Sequence, residues 1–395
     1  MIAATGKGRC LARIGWFVYV CVEMKTKVVK LDSENVDSAK IKEAAEVIDA
    51  GGLVAFPTET VYGIACRVTA DSLARLDGIK NRDASKAYTL HISRPDETGR
   101  YVPTIGLRAC KLIEKAWPGP LTIVFELSAN DIEKQQRMLG QEVFEGLYRG
   151  GSVGVRCPDN PVACALLAQT RRAVVAPSAN PGGASPAVDA QEALDMLEGK
   201  IDLVLDGGLC KYGKSSTVVK IGKQRIEILR GGVYSSSEIE EYSQVKFLFV
   251  CTGNTCRSPM AEGILRKYLA EKLHCAVDQL GAMGYKVASA GLLNLEGASA
   301  SSESVAACSA RGVDISSHRS QPLSVELIEE SDRIFAMERI HQARVVALSP
   351  GAAGKCVLLA DDEIGDPIGQ RKAVYDRCAD LIEKAVKNRI GELAL

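Results

Sequence analysis

Histidine is scarce in this chain, four residues in 395, and its thirteen cysteines contain no CxxC pair. Zinc sites draw on Cys and His pairs at short spacing, and secreted disulfide frameworks use an even cysteine count. Both are therefore disfavoured, no metal site is expected, and reduced thiols in a cytoplasm fit better. Net charge is missing as well, since 49 basic residues balance 49 acidic ones. A protein that coats nucleic acid or a membrane surface carries a basic excess, so neither strong direct nucleic-acid binding nor membrane association is expected. The run IGWFVYVCV, after Lys7, Arg9 and Arg13, has the basic and apolar parts of a signal peptide but is too short to span a bilayer. Glu23 and Lys25 follow it where small residues would mark a cleavage site. Residues 1–25 are read as a poorly ordered extension, with Met24 as an alternative start. Internal repeats are lacking too.

What is present is an ordinary globular composition, 46% apolar, at a length that accommodates two domains. The most informative stretch is KFLFVCTGNTCRSPMAEGILRKYL, from Lys246. Phe247 to Val250 form a short strand-forming run. From Pro259 onward, Met260, Ile264, Leu265 and Leu269 recur at helical spacing. The expectation is strand, tight loop, helix, with Ser258 as N-cap and Pro259 at the first helical position. Backbone N–H groups of such a loop and of a helix N-terminus converge on one centre and favour an oxyanion. The same field favours a thiolate, so Cys251 is expected to be ionised near neutral pH, and Arg257 adds a fork that matches two phosphoryl oxygens.

The first half alternates helices and strands from Lys27. IKEAAEVIDAGG reads as an amphipathic helix ended by glycine. Strands are expected at 53–58, 89–92, 121–127, 152–157, 173–179, 203–206, 216–221 and 225–230. Residues 131–151 read as an extended surface loop with some helix. Polar residues gather at strand ends: Pro57-Thr58-Glu59-Thr60-Val61-Tyr62, the cations Lys80, Arg82 and Lys86, and His91 on a strand. Ser152 and Arg156, four apart, share one strand face. Ser178, Asn180, Ser216 and Arg230 complete the set. Each taken singly has a plain structural explanation as a turn, a cap or a solvated charge.

Together and in this order they resemble the YrdC-like threonylcarbamoyl-AMP synthase family, over roughly residues 34–233. The resemblance implies that L-threonine, bicarbonate and ATP become threonylcarbamoyl-AMP and pyrophosphate. That product feeds tRNA threonylcarbamoyladenosine modification through a downstream tRNA threonylcarbamoyl transferase. It assigns Thr58, Tyr62, His91 and Arg156 to threonine. Lys80, Arg82, Lys86, Ser152, Ser178, Asn180, Ser216 and Arg230 go to ATP, which brings Mg²⁺ with its triphosphate. Departures from the family pattern include Asp83 and Ala87 in place of prolines, and Ser215 in place of a glutamate.

The second half, from CTGNTCRS through Ser289-Ala290-Gly291, GVDISSHRS, SDRIFAME and Asp366-Pro367, resembles the low-molecular-weight phosphotyrosine phosphatase family and its protein-arginine-phosphatase and arsenate-reductase relatives. This implies Cys251 as nucleophile, Arg257 as phosphoryl ligand and Asp366 as general acid. Asn254 braces the loop and Ser258 assists thiolate departure, with a phosphorylated protein as substrate and no cofactor. Ile368 and Gly369 stand where tyrosine-directed members carry aromatics, and Thr255 matches the arginine-directed ones.

The expected fold is α/β throughout. A YrdC-like twisted mixed sheet with helices occupies 26–233, a linker 234–244, and a doubly wound parallel sheet of phosphatase type 245–395. Two alternatives stay open: a first domain that is only an RNA- or nucleotide-binding regulatory module, and a second domain that reduces arsenate, with Cys356 or Cys378 as the resolving thiol.

Overall fold

The computed structural model describes residues 25–32, 35–81, 87–222 and 225–393. Arg82 and Lys86, and the extension except for Lys25, lie outside the described residues. The chain divides into two compact units. The first runs to Ile105 and resumes over Leu112–Ile239; the second takes Gly106–Lys111 and Glu240–Leu395.

The first unit is built on a mixed sheet. Its strands are β1 (Lys27–Lys30), β2 (Val54–Phe56), β3 (Gly63–Arg67), β4 (Leu90–His91), β5 (Leu121–Glu126), β6 (Tyr148–Arg149), β7 (Ser152–Arg156), β8 (Val174–Val175), β9 (Leu203–Asp206), β10 (Thr217–Ile221) and β11 (Ile226–Arg230). Their spatial order is β1-β9-β2-β3-β8-β4-β7-β5-β10-β11, with β6 paired to β7. Helix Ser38–Asp49 starts where the Asp37 carboxylate accepts from the Ala39 and Lys40 amides, and Gly51 follows it at φ +96°. Its buried face, Ile41, Ala44, Ala45 and Ile48, keeps the helical period and packs with helix Pro161–Gln169 over β2 and β9.

Two expectations are corrected here. Strand β3 was not anticipated: its residues are almost all buried, so it lacks the alternation that marks a half-exposed strand. Residues 131–151 are mainly helical, with helices Ala129–Leu139 and Gln141–Leu147 before β6. Ser128 caps the first of them by accepting from the Asp131 amide, and that cap underlies helix where a loop was expected.

The second unit has a four-stranded parallel sheet, β12 (Val245–Cys251), β13 (Tyr285–Gly291), β14 (Arg333–Ala336) and β15 (Cys356–Leu358), in the order β13-β12-β14-β15. Side chains of β12 alternate between two cores. Phe247, Phe249 and Cys251 join the face covered by helices Arg257–Leu273 and Lys372–Glu392, while Leu248 and Val250 join the other. Helices on both faces make the sheet doubly wound, and its central strand delivers Cys251 to the carboxyl edge, where ligands bind in such sheets. The stretch read as a linker holds helix Ser236–Tyr242. No helix among the described residues is long and apolar enough to cross a membrane.

Candidate functional site

In the first unit, strand register aligns the site residues in a row. His91 pairs with Arg156 across β4 and β7, and Arg156 pairs with Thr122 across β7 and β5. The Thr122 hydroxyl lies 3.0 Å from that of Ser216, just ahead of β10, and Arg230 Nη2 donates to the Ser216 carbonyl at 2.8 Å and to its hydroxyl at 3.1 Å. Arg156 is buried. Its Nη2 donates to Glu59 Oε1 and to Thr60 Oγ1, both at 2.7 Å, and its buried Nε has no partner among the described residues. Glu59 also accepts the Asp159 amide at 3.0 Å, so the carboxylate is held from two sides.

The turn after β2 carries the other threonine-side residues. The Thr58 hydroxyl is buried within that turn, donating to the Val61 carbonyl at 2.7 Å and lying 2.8 Å from Thr60 Oγ1. Tyr62 is fully buried, and its hydroxyl donates to the Gly208 carbonyl at 2.8 Å. Burial lifts its pKa well above the ordinary phenol value. Burial, and then the Arg156 charge, pushes His91 down to about 3, so its ring is neutral at physiological pH. Arg230 is lowered by burial and by Arg156.

The structure also brings Lys80, Ser178 and Asn180 together. Lys80 Nζ donates to the carbonyls of Ser178 at 2.9 Å and Asn180 at 2.6 Å, and to Asn180 Oδ1 at 3.1 Å. Gly182 is required beside this contact, because a Cβ there would fall 1.9 Å from the Lys80 carbonyl oxygen. Ser178 bridges to Gly63, and the Ala179 amide donates to the Tyr62 carbonyl at 2.7 Å, which ties this loop to the turn that holds Arg156. Ser152 stands apart. It opens β7 at the end opposite Arg156, about 13 Å away at the usual strand rise, and its hydroxyl donates to the Arg149 carbonyl at 2.9 Å.

In the second unit, β12 ends at Cys251, whose sulfur lies 3.0 Å from Ser258 Oγ and accepts the Asn254 amide at 3.3 Å. Asn254 adopts a left-handed conformation at φ +52°. Its amide Nδ2 donates to Ser258 Oγ and Ser289 Oγ, both at 2.8 Å, while its Oδ1 accepts the Gln321 amide at 2.9 Å. The helix starts earlier than expected: it spans Arg257–Leu273 with Cys256 as its N-cap. Ser258 therefore lies inside the first turn, its hydroxyl engaged by Cys251 and Asn254 in place of capping.

Arg257 is buried, and donates to Glu338 Oε2 at 2.6 Å, the Ile364 carbonyl at 2.9 Å, Thr252 Oγ1 at 3.0 Å and Asp366 Oδ2 at 2.5 Å. Its Nε is buried without a partner among the described residues. Burial raises the Cys251 thiol above its ordinary value, although the Ser258 hydroxyl and amide, Arg257 and the Asn254 amide all oppose it. Burial is thus the largest influence on this thiol, and it runs against the near-neutral thiolate expected from the loop. Cys356 and Cys378 are buried, and burial pushes their thiols up to about 11 and about 12. Sequence reasoning gave no individual role to Glu59, Thr60, Thr122, Glu338 or His341. Of these, Glu338 had a usable signal, a carboxylate just beyond a strand that feeds the same sheet edge as Cys251.

A buried arginine among hydroxyls on a mixed sheet, and a cysteine-to-arginine loop on a parallel sheet, are the candidate sites of the two units. Residues 46–232 match the family described as telomere recombination (Sua5, YciO, YrdC), and residues 246–394 match that described as low molecular weight phosphotyrosine protein phosphatase. Threonylcarbamoyl-AMP synthase of Pyrococcus abyssi is 33% identical over 211 residues, 53% of this chain and 58% of that protein. That of Halorhodospira halophila is 31% identical over 173 residues, 43% of this chain and 84% of that protein. Low molecular weight protein-tyrosine-phosphatase Etp of Escherichia coli K12 is 34% identical over 150 residues, 36% of this chain and 93% of that protein. The chain belongs to both families, a Sua5/YrdC unit fused to a low molecular weight phosphatase unit. It spans 49–60% of the length of the first three synthases it matches.

Proposed function

We propose that the chain is a cytoplasmic bifunctional enzyme, with a synthase in residues 26–233 and a cysteine-dependent protein phosphatase in 245–395. The observation that carries this reading is shared by the two sites. Arg156 and Arg257 are each almost fully buried and tied at Nη to a carboxylate, and each keeps a buried Nε with no partner among the described residues. A buried unpaired donor is costly, and an incoming anion satisfies it.

In the synthase, Arg156 receives the threonine carboxylate beside neutral His91, and Lys80 with Ser178, Asn180, Ser216 and Arg230 holds ATP and its Mg²⁺. The threonine N-carbamate, formed with bicarbonate, attacks the α-phosphorus and expels pyrophosphate. Transfer of this kind is mainly positioning and charge neutralisation, so it needs no covalent nucleophile from the protein. A downstream tRNA-modifying transferase consumes the product. In the phosphatase, Cys251 sulfur attacks phosphorus while the bond to the leaving atom breaks, and Asp366 gives that atom its proton. Water, deprotonated by Asp366, then attacks phosphorus, and the sulfur departs toward the Ser258 hydroxyl.

The preferred substrate is phosphoarginine over phosphotyrosine. Ile368 is 61% exposed and Gly369 has no side chain, so no aromatic wall stands after Asp366-Pro367. The test is threonine-dependent pyrophosphate release together with hydrolysis of phosphotyrosine and phosphoarginine peptides by the purified chain.

A further inference from the structure

His341 is fully buried in the first turn of helix Arg339–Leu348, whose N-cap is Glu338. Its Nδ1 accepts the Glu338 backbone amide at 3.0 Å, so the ring hydrogen of the neutral imidazole sits on Nε2. Nε2 lies 3.0 Å from Thr252 Oγ1 and donates to it. The same oxygen accepts Arg257 Nη2 at 3.0 Å, while Arg257 Nη1 donates to Glu338 Oε2 at 2.6 Å. These bonds close a ring: Arg257 to Glu338, Glu338 to His341, His341 to Thr252, and Thr252 back to Arg257. Both acceptor positions of the Thr252 hydroxyl are filled by donors from either side.

We propose that His341 and Thr252 are positioning residues for the phosphatase reaction, fixing the Arg257 fork so that its unpartnered Nε is presented to the phosphoryl group. The proposal rests on the phosphatase reading above. An arginine carries large rotamer entropy, and a fork held at both Nη atoms forfeits less of its binding energy to ordering. Glu338 and the Ile364 carbonyl fix one Nη. Thr252 and Asp366 fix the second, and Thr252 keeps its orientation because the neutral, tautomer-locked His341 can only donate to it. A valine at 252 keeps the shape but leaves two buried donors, His341 Nε2 and Arg257 Nη2, without that acceptor.

The test compares Thr252→Val, Thr252→Ser, His341→Leu and the double variant Thr252→Val/His341→Leu in the full chain. The readouts are kcat/KM on p-nitrophenyl phosphate, the inhibition constant of orthovanadate, and the thermal midpoint. Thr252→Val is expected to lower kcat/KM and weaken orthovanadate by about tenfold each, the scale of a misplaced catalytic group, at an assay temperature well below its own thermal midpoint, which the two unsatisfied donors lower. Thr252→Ser regains most of both, and the double variant is no worse than the poorer single one, because the two residues act through one ring. If His341→Leu does not fold, the Val and Ser variants at 252 decide alone. Wild-type behaviour of Thr252→Val, a serine variant as impaired as the valine, or multiplying effects in the double variant would overturn the proposal. A wild-type chain that neither hydrolyses the ester nor binds orthovanadate would instead overturn the phosphatase reading, and this proposal with it.

Discussion

Asp366 Oδ2 lies 2.5 Å from Arg257 Nη2, so the carboxyl that would protonate the leaving group rests on the guanidinium that would hold the phosphoryl group. An oxyanion entering the loop competes with that carboxylate for the same donor. Asp366→Asn removes the competing charge and the proton source together. Orthovanadate is expected to bind several-fold more tightly, while hydrolysis of esters with poor leaving groups falls by about a hundredfold or more. Inhibition and turnover measured on the same preparation check both, and weaker orthovanadate binding in the variant would contradict the competition.

The Cys251 sulfur is flanked by Ser258 Oγ and the Asn254 amide, and that surrounding does not depend on sulfur itself. Cys251→Ser should abolish turnover and leave oxyanion binding largely intact. Substantial hydrolysis by the serine variant, followed with p-nitrophenyl phosphate, would rule out the covalent route.

His91 supplies a pH dependence in the first unit. Its ordinary value is 6.5 and burial takes it to about 3, so the unfolded chain binds a proton that the native form refuses. Stability from this group is therefore complete above about pH 6.5 and falls as pH drops toward 3, by at most about 1.4 kcal/mol per pH unit. Denaturation followed by intrinsic tryptophan fluorescence should show the wild type losing stability more steeply than His91→Asn between pH 6 and pH 4. Parallel pH profiles would contradict the assignment.

Thr255 bears on substrate choice. Its small side chain lies in the loop between Cys251 and Arg257, and Ile368 and Gly369 offer no aromatic slot. Thr255→Ile is expected to shift the ratio of kcat/KM toward phosphotyrosine, by about 1–3 kcal/mol for one steric or polar contact. Equal wild-type values for phosphoarginine and phosphotyrosine peptides, unchanged in the variant, would leave ordinary tyrosine phosphatase activity as the better description.

The loop between β12 and its helix was legible because everything it needs is local: an apolar strand, Gly253, Asn254 and Arg257 within a few residues. Its helix start was misplaced by two residues because Ser258 and Pro259 look like a cap and a first helical residue, whereas Ser258 is claimed by Cys251 and Asn254. The strands with alternating or β-branched runs were also visible. β3 was not, since burial of nearly every residue erases its period. The partners of both arginines were hidden for a different reason. Glu59 lies 97 residues from Arg156, and Glu338 lies 81 from Arg257, so only strand order brings them together. Their local sequence, a turn in one case and a strand end in the other, carries no mark of that pairing.

The central claim is that one chain holds two chemically separate sites, one organised by Arg156 and one by Cys251. The direct measurement assays both activities in Arg156→Ala and Cys251→Ser. Arg156→Ala is expected to lose about 2–5 kcal/mol of threonine-dependent pyrophosphate release, as when one half of a buried charged pair is removed, and to keep its phosphatase turnover. Cys251→Ser should show the reverse. Near-normal pyrophosphate release in the first variant, or near-normal hydrolysis in the second, would contradict the account.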